Sequence, residues 1–434
     1  MTSYLRAGLS ALDAFVRQVD QWASRAAFGR NKAALVIGGL LCGLSIVYLV
    51  YLGGVKELTE VDFKYVWYAG EMWNAGESPY DPAFSGAASG SFLVDNELDR
   101  WLYPPTWWPL SSGLALLNYE TATWLWRFFT AASIAASIML AFLSLRKTNP
   151  DAGWLVLGIT LFIAATSQAT PTLLYLGQTT MIAGLGLALI LYGWSHQRKS
   201  LIVAGLVLAM LKPQIGILGV ALLGMSFDQW RNITIAGAIS LLIAMPAFWT
   251  GGIMGVTTGF LDALRYHGTL DVNAPGVTTG LQHIVDAATG ISTGSIPMIV
   301  MALITVIAMK LGIDRLTKHQ LVNTDDALLL SIAGIAIATC FWIPLHGYDL
   351  VIFYLAIPVL FIRCPPFCKI GVLIGILGTW RAGKVSEIFG GLIETGGIDL
   401  HARLLSLSLT AAGLVFFSAL FFEAWRTNRH QASR

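Results

Sequence analysis

The sequence predicts an all-α membrane protein of about twelve transmembrane helices, and three observations predict it. Hydrophobic residues make up 56% of the 434 and charged residues only 12%, with a mean hydropathy of +0.67. A soluble domain carries about 25% charged residues and cannot hide this much apolar side chain, so lipid must be the second solvent. Apolar runs near the roughly 20 residues that cross the bilayer core lie at about 33–54, 121–145, 152–170, 173–194, 232–250, 294–313, 326–344 and 403–425, with shorter ones at about 200–211, 214–226, 349–363 and 369–381. The charges then sort by side. With the N-terminus in the cytoplasm and each segment crossing once, 18 of the 27 Lys and Arg residues fall inside and 9 outside, while the 25 acidic residues divide 8 inside and 17 outside. Positive charge collects on the cytoplasmic side of membrane proteins, so both termini are expected there.

Along the chain, residues 1–32 lack the compact apolar core and small-residue cleavage site of a signal peptide. Leu12, Phe15, Val16, Val19 and Trp22 instead share one helical face, which predicts an amphipathic segment on the cytoplasmic leaflet. One membrane domain follows over 33–425, with no tandem repeat or low-complexity tract, and 426–434 form a cytoplasmic tail. Two outer loops are long, about 55–120 and 251–293, and loops of that length are functional or disordered. The first is rich in Trp and Tyr and is expected to be ordered. Its stretch "TWWPLSSGLALLN" is too short and interrupted to span and suits an interfacial or re-entrant helix. Trp67, Trp73, Trp101, Trp107 and Trp108 are expected in the membrane-interface belt.

Ionisable groups in or near a bilayer are costly and tend to be functional, and the unusual ones map to the outer side. Asp62 stands just past the first span, with Lys64 beside it. Lys212, in "LAMLKPQIG" with Gln214, sits between two short apolar runs where Pro213 breaks the helix. That makes a notch in which an ammonium suits a phosphate. Gln178 in "LYLGQTT", His346, Tyr348 and Asp349 in "WIPLHGYDL", and Arg381 and Lys384 in "TWRAGK" fall on the same side. Each has a plainer reading: Asp62 as a helix-end residue, Lys212 snorkelling to headgroups, His346 as a structural histidine, Gln178 bonding a neighbouring helix. Cys364 and Cys368 flank "PPF" without a nearby histidine, so they and Cys42 and Cys340 are read as free thiols rather than a zinc site.

"VDFKYVWYAGEMWNAGESPYD" followed by "WLYPPTWWPL" resembles the early outer loop of glycosyltransferase family 87. The shared pattern is an Asp after the first helix, a Gly-x-x-x-Tyr element from Gly76 to Tyr80, and an aromatic–Pro–Pro step at Tyr103, Pro104 and Pro105. "LGQTTMIAGLGLALILYGW" and "AGLVLAMLKPQIGILGVALL" resemble its Gly-Gln and Lys-Pro helices, and "WIPLHGYDLVIFYLAIPVL" its late outer element. The late motif reads "HGYD" where mannolipid enzymes of the family show a "WDHH"-like form, which leaves sugar and acceptor open.

The resemblance implies the C-type glycosyltransferase fold of bacterial plasma (inner) membrane enzymes. It also implies a polyprenyl-phosphate-linked sugar donor, with mannosyl transfer best known, and a lipid or glycan acceptor. Asp62 would be the catalytic base. Lys212, helped by Arg381 or Lys384, would hold the donor phosphate. Lys64, Tyr80, Tyr103, Gln178, Gln214, His346, Tyr348 and Asp349 would line the sugar or acceptor pocket. A monophosphate leaving group needs little charge neutralisation and no Asp-x-Asp pair lies in an outer loop, so no cofactor and no obligatory metal is expected. Membrane lipids are expected partners and nucleic acid is not. The rival reading is a transporter or flippase for a lipid-linked or anionic solute, since broken helices are a transporter feature.

Overall fold

The computed structural model describes residues 32–54, 61–81, 84, 100–150, 152–270, 278–289, 295–381 and 397–432. The expected amphipathic segment before Lys32 lies outside them, as does Lys384. The described chain is helical, with α1 Lys32–Gly54, α2 Val61–Asn74, α3 Trp108–Leu114, α4 Tyr119–Thr148, α5 Trp154–Thr166, α6 Ala169–Leu176, α7 Thr180–Ser195, α8 Lys199–Ala209, α9 Pro213–Gly224 and α10 Trp230–Gly251. There follow α11 Ile253–His267, α12 Leu281–Thr289, α13 Ser295–Lys318, α14 Thr324–Trp342, a 3-10 helix Asp349–Phe361, α15 Pro366–Trp380 and α16 Gly397–Ala432. A lone antiparallel bridge, Thr279 to Leu345, is the extended pairing found among the described residues.

Six helices are long and apolar enough to cross a membrane: α1, α4, α10 with its leading turn, α13, α14 and α16. Helices α5 and α6, bent by 56° to one another, make a seventh if counted as one span. The remaining apolar runs form five shorter helices, α7, α8, α9, the 3-10 helix and α15. The run expected to span 173–194 is two helices, because Gly177 turns left-handed (φ 71°) and ends α6. Pro213 starts α9 at the first helical position, where its missing N–H costs nothing.

Burial separates interior from periphery. In α14, 83% of the spanning window is buried, against 17% in α1 and in α10, whose Leu40, Val47, Leu241 and Leu242 face outward. Interior helices touch through glycine. A Cβ at Gly186 on α7 would meet the Ala209 backbone and, at 2.6 Å, the Gly205 carbonyl oxygen on α8. Close approach of backbones is how membrane helices gain packing energy without a hydrophobic drive.

The loops assigned to the cytoplasmic side meet at one end of the bundle. Lys147 donates to the Ser195 carbonyl and pairs with Asp325 at 3.0 Å. Lys199, Lys310 and Asp314 line the same depression of about 480 Å³. Helices α7, α8 and α14 each run from that depression to the opposite end, where Thr180, Lys212 and Leu345 gather.

At that opposite end the first long loop builds its own core. Trp73, Trp101 and Trp107 are 4%, 1% and 0% exposed, packed with Phe63, Val66 and Trp126. The expectation of an interface belt is therefore corrected for these three. The Trp73 and Trp101 indoles pack edge to face at 5.7 Å. The Trp101 N–H reaches the Tyr80 hydroxyl and the Trp107 N–H the Leu211 carbonyl, and an indole whose N–H has a partner stays in a core. The stretch "TWWPLSSGLALLN" forms the short helix α3 beneath them.

Gly186→Val should overpack the α7–α8 seam and cost about 1–3 kcal/mol. Gly39→Ala, on a surface with nothing within 4 Å, should leave stability unchanged or slightly higher. Thermal unfolding of the two variants in detergent checks the contrast.

Candidate active site

A cavity of about 580 Å³ opens at this end, between α2, the Leu102–Pro104 segment, the α8–α9 break, α11, α13 and the Pro344–Asp349 segment. Much of its wall is apolar: Leu102, Pro104, Leu176, Ile217, Phe260, Leu264, Ile299 and Pro344. Its polar groups are Asp62, Tyr103, Gln178, Lys212, Gln214, His267, His346, Tyr348 and Asp349.

Asp62 sits in the first turn of α2, where the helix dipole favours a carboxylate. Two contacts fix it. Phe63, its neighbour, stacks on Trp126 at 5.2 Å, and a Cβ at Gly177 would lie 2.7 Å from the Phe63 Cβ. The Trp126 N–H donates to the Gly177 carbonyl at 2.8 Å, and Gln178, next along, donates from Nε2 to the Asp62 carboxylate. The glycine that ends α6 thus lets Asp62 and its hydrogen-bond donor come together. Burial pushes the Asp62 carboxyl up to about 6; Gln178 and Lys212 pull it down, and Asp349 adds to the rise.

Lys212 is held by the break itself. Its backbone (φ −123°, ψ 86°) is outside the helical region, from which the following proline excludes it. Nζ donates to Asp349 Oδ1 at 2.5 Å and to Thr180 Oγ1 at 2.7 Å, and the pair is buried, with side chains 9% and 4% exposed. Thr180 also donates to Asp349, and Asp349 Oδ2 accepts from the His346 backbone N–H at 3.3 Å. The Thr279–Leu345 bridge pins the same segment, and the His346 ring stacks on Tyr348 at 5.1 Å. Tyr348 in turn lies 5.9 Å from the Lys212 ammonium. Burial holds the His346 imidazole below the usual histidine range, with Asp349 opposing and Lys212 adding to the fall.

Eight of the residues singled out in the sequence line this cavity together: Asp62, Tyr103, Gln178, Lys212, Gln214, His346, Tyr348 and Asp349. Others do not. Tyr80 donates to the Tyr103 carbonyl at 2.6 Å and lines a neighbouring cavity of about 740 Å³, so it supports the wall rather than forming it. Lys64 lies on α2 and Arg381 packs over its own neighbour Trp380; neither is among the lining residues. Sequence reasoning missed Thr180, which the "GQTT" context could have flagged. It also missed His267, which shares a face of α11 with Phe260 and Leu264 at helical spacing.

Asp349→Ala would leave the Lys212 ammonium buried without its carboxylate and should cost about 3–5 kcal/mol. The double variant Lys212→Met with Asp349→Leu should recover most of that loss. Thermal unfolding in detergent decides between this and a pair of no structural weight.

The family model described as glycosyltransferase family 87 matches residues 101–361, a stretch that takes in Tyr103, Gln178, Lys212, Gln214, His346, Tyr348 and Asp349 and starts beyond Asp62. No curated protein matches the chain. The match covers more than half of the sequence and every lining residue of the cavity except Asp62, so this chain belongs to glycosyltransferase family 87.

Proposed function

We propose that the chain is a multi-pass membrane enzyme of the C-type glycosyltransferase fold, moving a sugar from a polyprenyl-phosphate-linked donor to a lipid or glycan acceptor. The sugar is mannose or another hexose or pentose. Transfer takes place on the outer face of the bacterial plasma membrane, with both termini in the cytoplasm. The twelve crossings comprise the six long helices, the bent α5–α6 pair and the five shorter ones. One observation carries this reading beyond family membership: a half-buried carboxylate, Asp62, shares with a buried lysine the polar end of an otherwise apolar cavity. Apolar wall suits a prenyl chain, and the polar end suits the sugar phosphate. The lysine-lined depression at the other end of the bundle supports the sidedness.

In the reaction, an acceptor hydroxyl oxygen attacks the anomeric carbon while Asp62 takes its proton. The bond from that carbon to the phosphate oxygen breaks, and the phosphate leaves with the electron pair. One displacement inverts the anomeric centre, so a β-linked donor gives an α-linked product. Lys212 stabilises the leaving phosphate by sharing its ammonium between that group and Asp349. Gln214, His346 and Tyr348 contact sugar or acceptor, and Gln178 holds the base. A monophosphate leaving group makes no metal obligatory. Arg381 is not among the lining residues, so the donor phosphate is assigned to Lys212.

Asp62→Asn should keep expression and folding while transfer of labelled sugar falls at least a thousandfold; near-normal turnover in the purified variant would remove Asp62 from the base role. Because the ionised carboxylate is the base and burial raises its midpoint to about 6, kcat/KM should be flat above pH 7. Below pH 6 it should fall about tenfold per unit.

Gln178→Leu removes a hydrogen bond to the charged form, so the acid limb should move to higher pH. A profile with an unmoved midpoint would show that Gln178 does not act on Asp62.

A further inference from the structure

We infer that His267, on α11, is a second ligand for the donor phosphate, entering the reaction neutral and taking up a proton as the phosphate binds. The inference rests on the proposed lipid-phosphate donor and names the part of the cavity that receives its charge. The argument begins with charge. Among the described lining residues Lys212 is the one lysine or arginine, and Asp349 already pairs with it at 2.5 Å. With Asp62 ionised as a base, the cavity carries one net negative charge, and a phosphodiester makes it two. Two negative charges in a mostly apolar space are unfavourable without another cation.

His267 is placed to supply it. It forms one row with Phe260 and Leu264 at positions i+7 and i+4, so the helix face that walls the cavity ends on an imidazole. It stands in the last turn of α11, where helix carbonyls favour a cation. The titratable and charged groups facing it across the cavity are Asp62 on α2, Tyr103, Lys212 at the α8–α9 break, and His346, Tyr348 and Asp349. In the ligand-free cavity burial lowers the imidazole midpoint to about 4, with His346 and Lys212 adding to the fall, so His267 is neutral there. A phosphate arriving beside it reverses that balance, because an opposite charge within a few ångströms favours the charged form. Between the free and bound midpoints, affinity for the anion then rises as pH falls, by up to tenfold per unit.

The test uses full-length protein in detergent with Asp62→Asn throughout, so that this carboxyl does not titrate. The probes are farnesyl methyl phosphate, a diester whose single charge is constant from pH 5 to 8, and the uncharged farnesyl methyl ether. The diester should bind more tightly than the ether and gain about tenfold or more in affinity from pH 8 to pH 5.5. His267→Gln should lose most of that gain while ether binding stays unchanged, which also shows that the cavity is intact. His267→Lys, with a fixed charge, should bind the diester tightly at pH 8 and show little pH dependence. If His267→Gln keeps the affinity and pH profile of its parent for a diester that still outbinds the ether, His267 is not a phosphate ligand and the donor reading stands. If the diester never outbinds the ether in any variant, the lipid-phosphate reading of the cavity fails and this inference fails with it.

Discussion

The buried pairing of Lys212 with Asp349 is the constraint on which the rest of the site depends. An ammonium and a carboxylate removed from water lose several kcal/mol of hydration each, and recover it only if geometry and further hydrogen bonds are good. Here the further bonds come from Thr180 and from the backbone of His346. Four pieces of chain are thereby tied to one point: the start of α7, the break between α8 and α9, the loop after α14, and the head of the 3-10 helix. Each is an irregular backbone segment at the end of an interior helix. In a membrane domain such segments survive where they line a cavity or are covered by protein, and this ion pair gathers them around one cavity.

A second constraint is aromatic. Two tryptophans donate their indole N–H groups to carbonyls at helix breaks, Trp107 to Leu211 and Trp126 to Gly177. A broken helix exposes carbonyls that lost their partners, and these two indoles satisfy one at each break. The first long loop, through Trp107, and α4, through Trp126, therefore brace the two places where the candidate chemistry sits. Together they hold Lys212 and Gln178 in register with Asp62 on α2.

Much of this was legible in the sequence. Hydropathy located the apolar runs, and Pro213 announced the break after Lys212, whereas the break at Gly177 lay hidden inside a run that reads as one span. The ordered combination of short motifs pointed to the family. The partnerships were not legible. Gln178 read as a pocket residue or an interhelical bond, and its carboxylate partner lies 116 residues away in sequence. The ammonium of Lys212 read as an open charge for phosphate, whereas Asp349, 137 residues on, already shares it. The tryptophans read as a membrane belt because composition cannot separate an indole at an interface from one packed edge to face under a loop. His267 carried no motif at all, and only the three-dimensional row with Phe260 and Leu264 draws notice to it.

The 3-10 helix from Asp349 to Phe361 has 13 residues and is buried along nearly its whole length. At about 2.0 Å per residue it extends about 26 Å, whereas an α-helix of equal length would reach only about 20 Å. Both ends are fastened. Asp349 is bound to Lys212, and the Phe361 carbonyl accepts from Asn149 at 3.3 Å at the end of α4. Winding pitch is thus a ruler between the two faces of the bundle: rewinding these residues as an α-helix would shorten the strut by about 6 Å and detach one anchor. The spacing between the cavity and the opposite face is set by how tightly one interior segment is coiled.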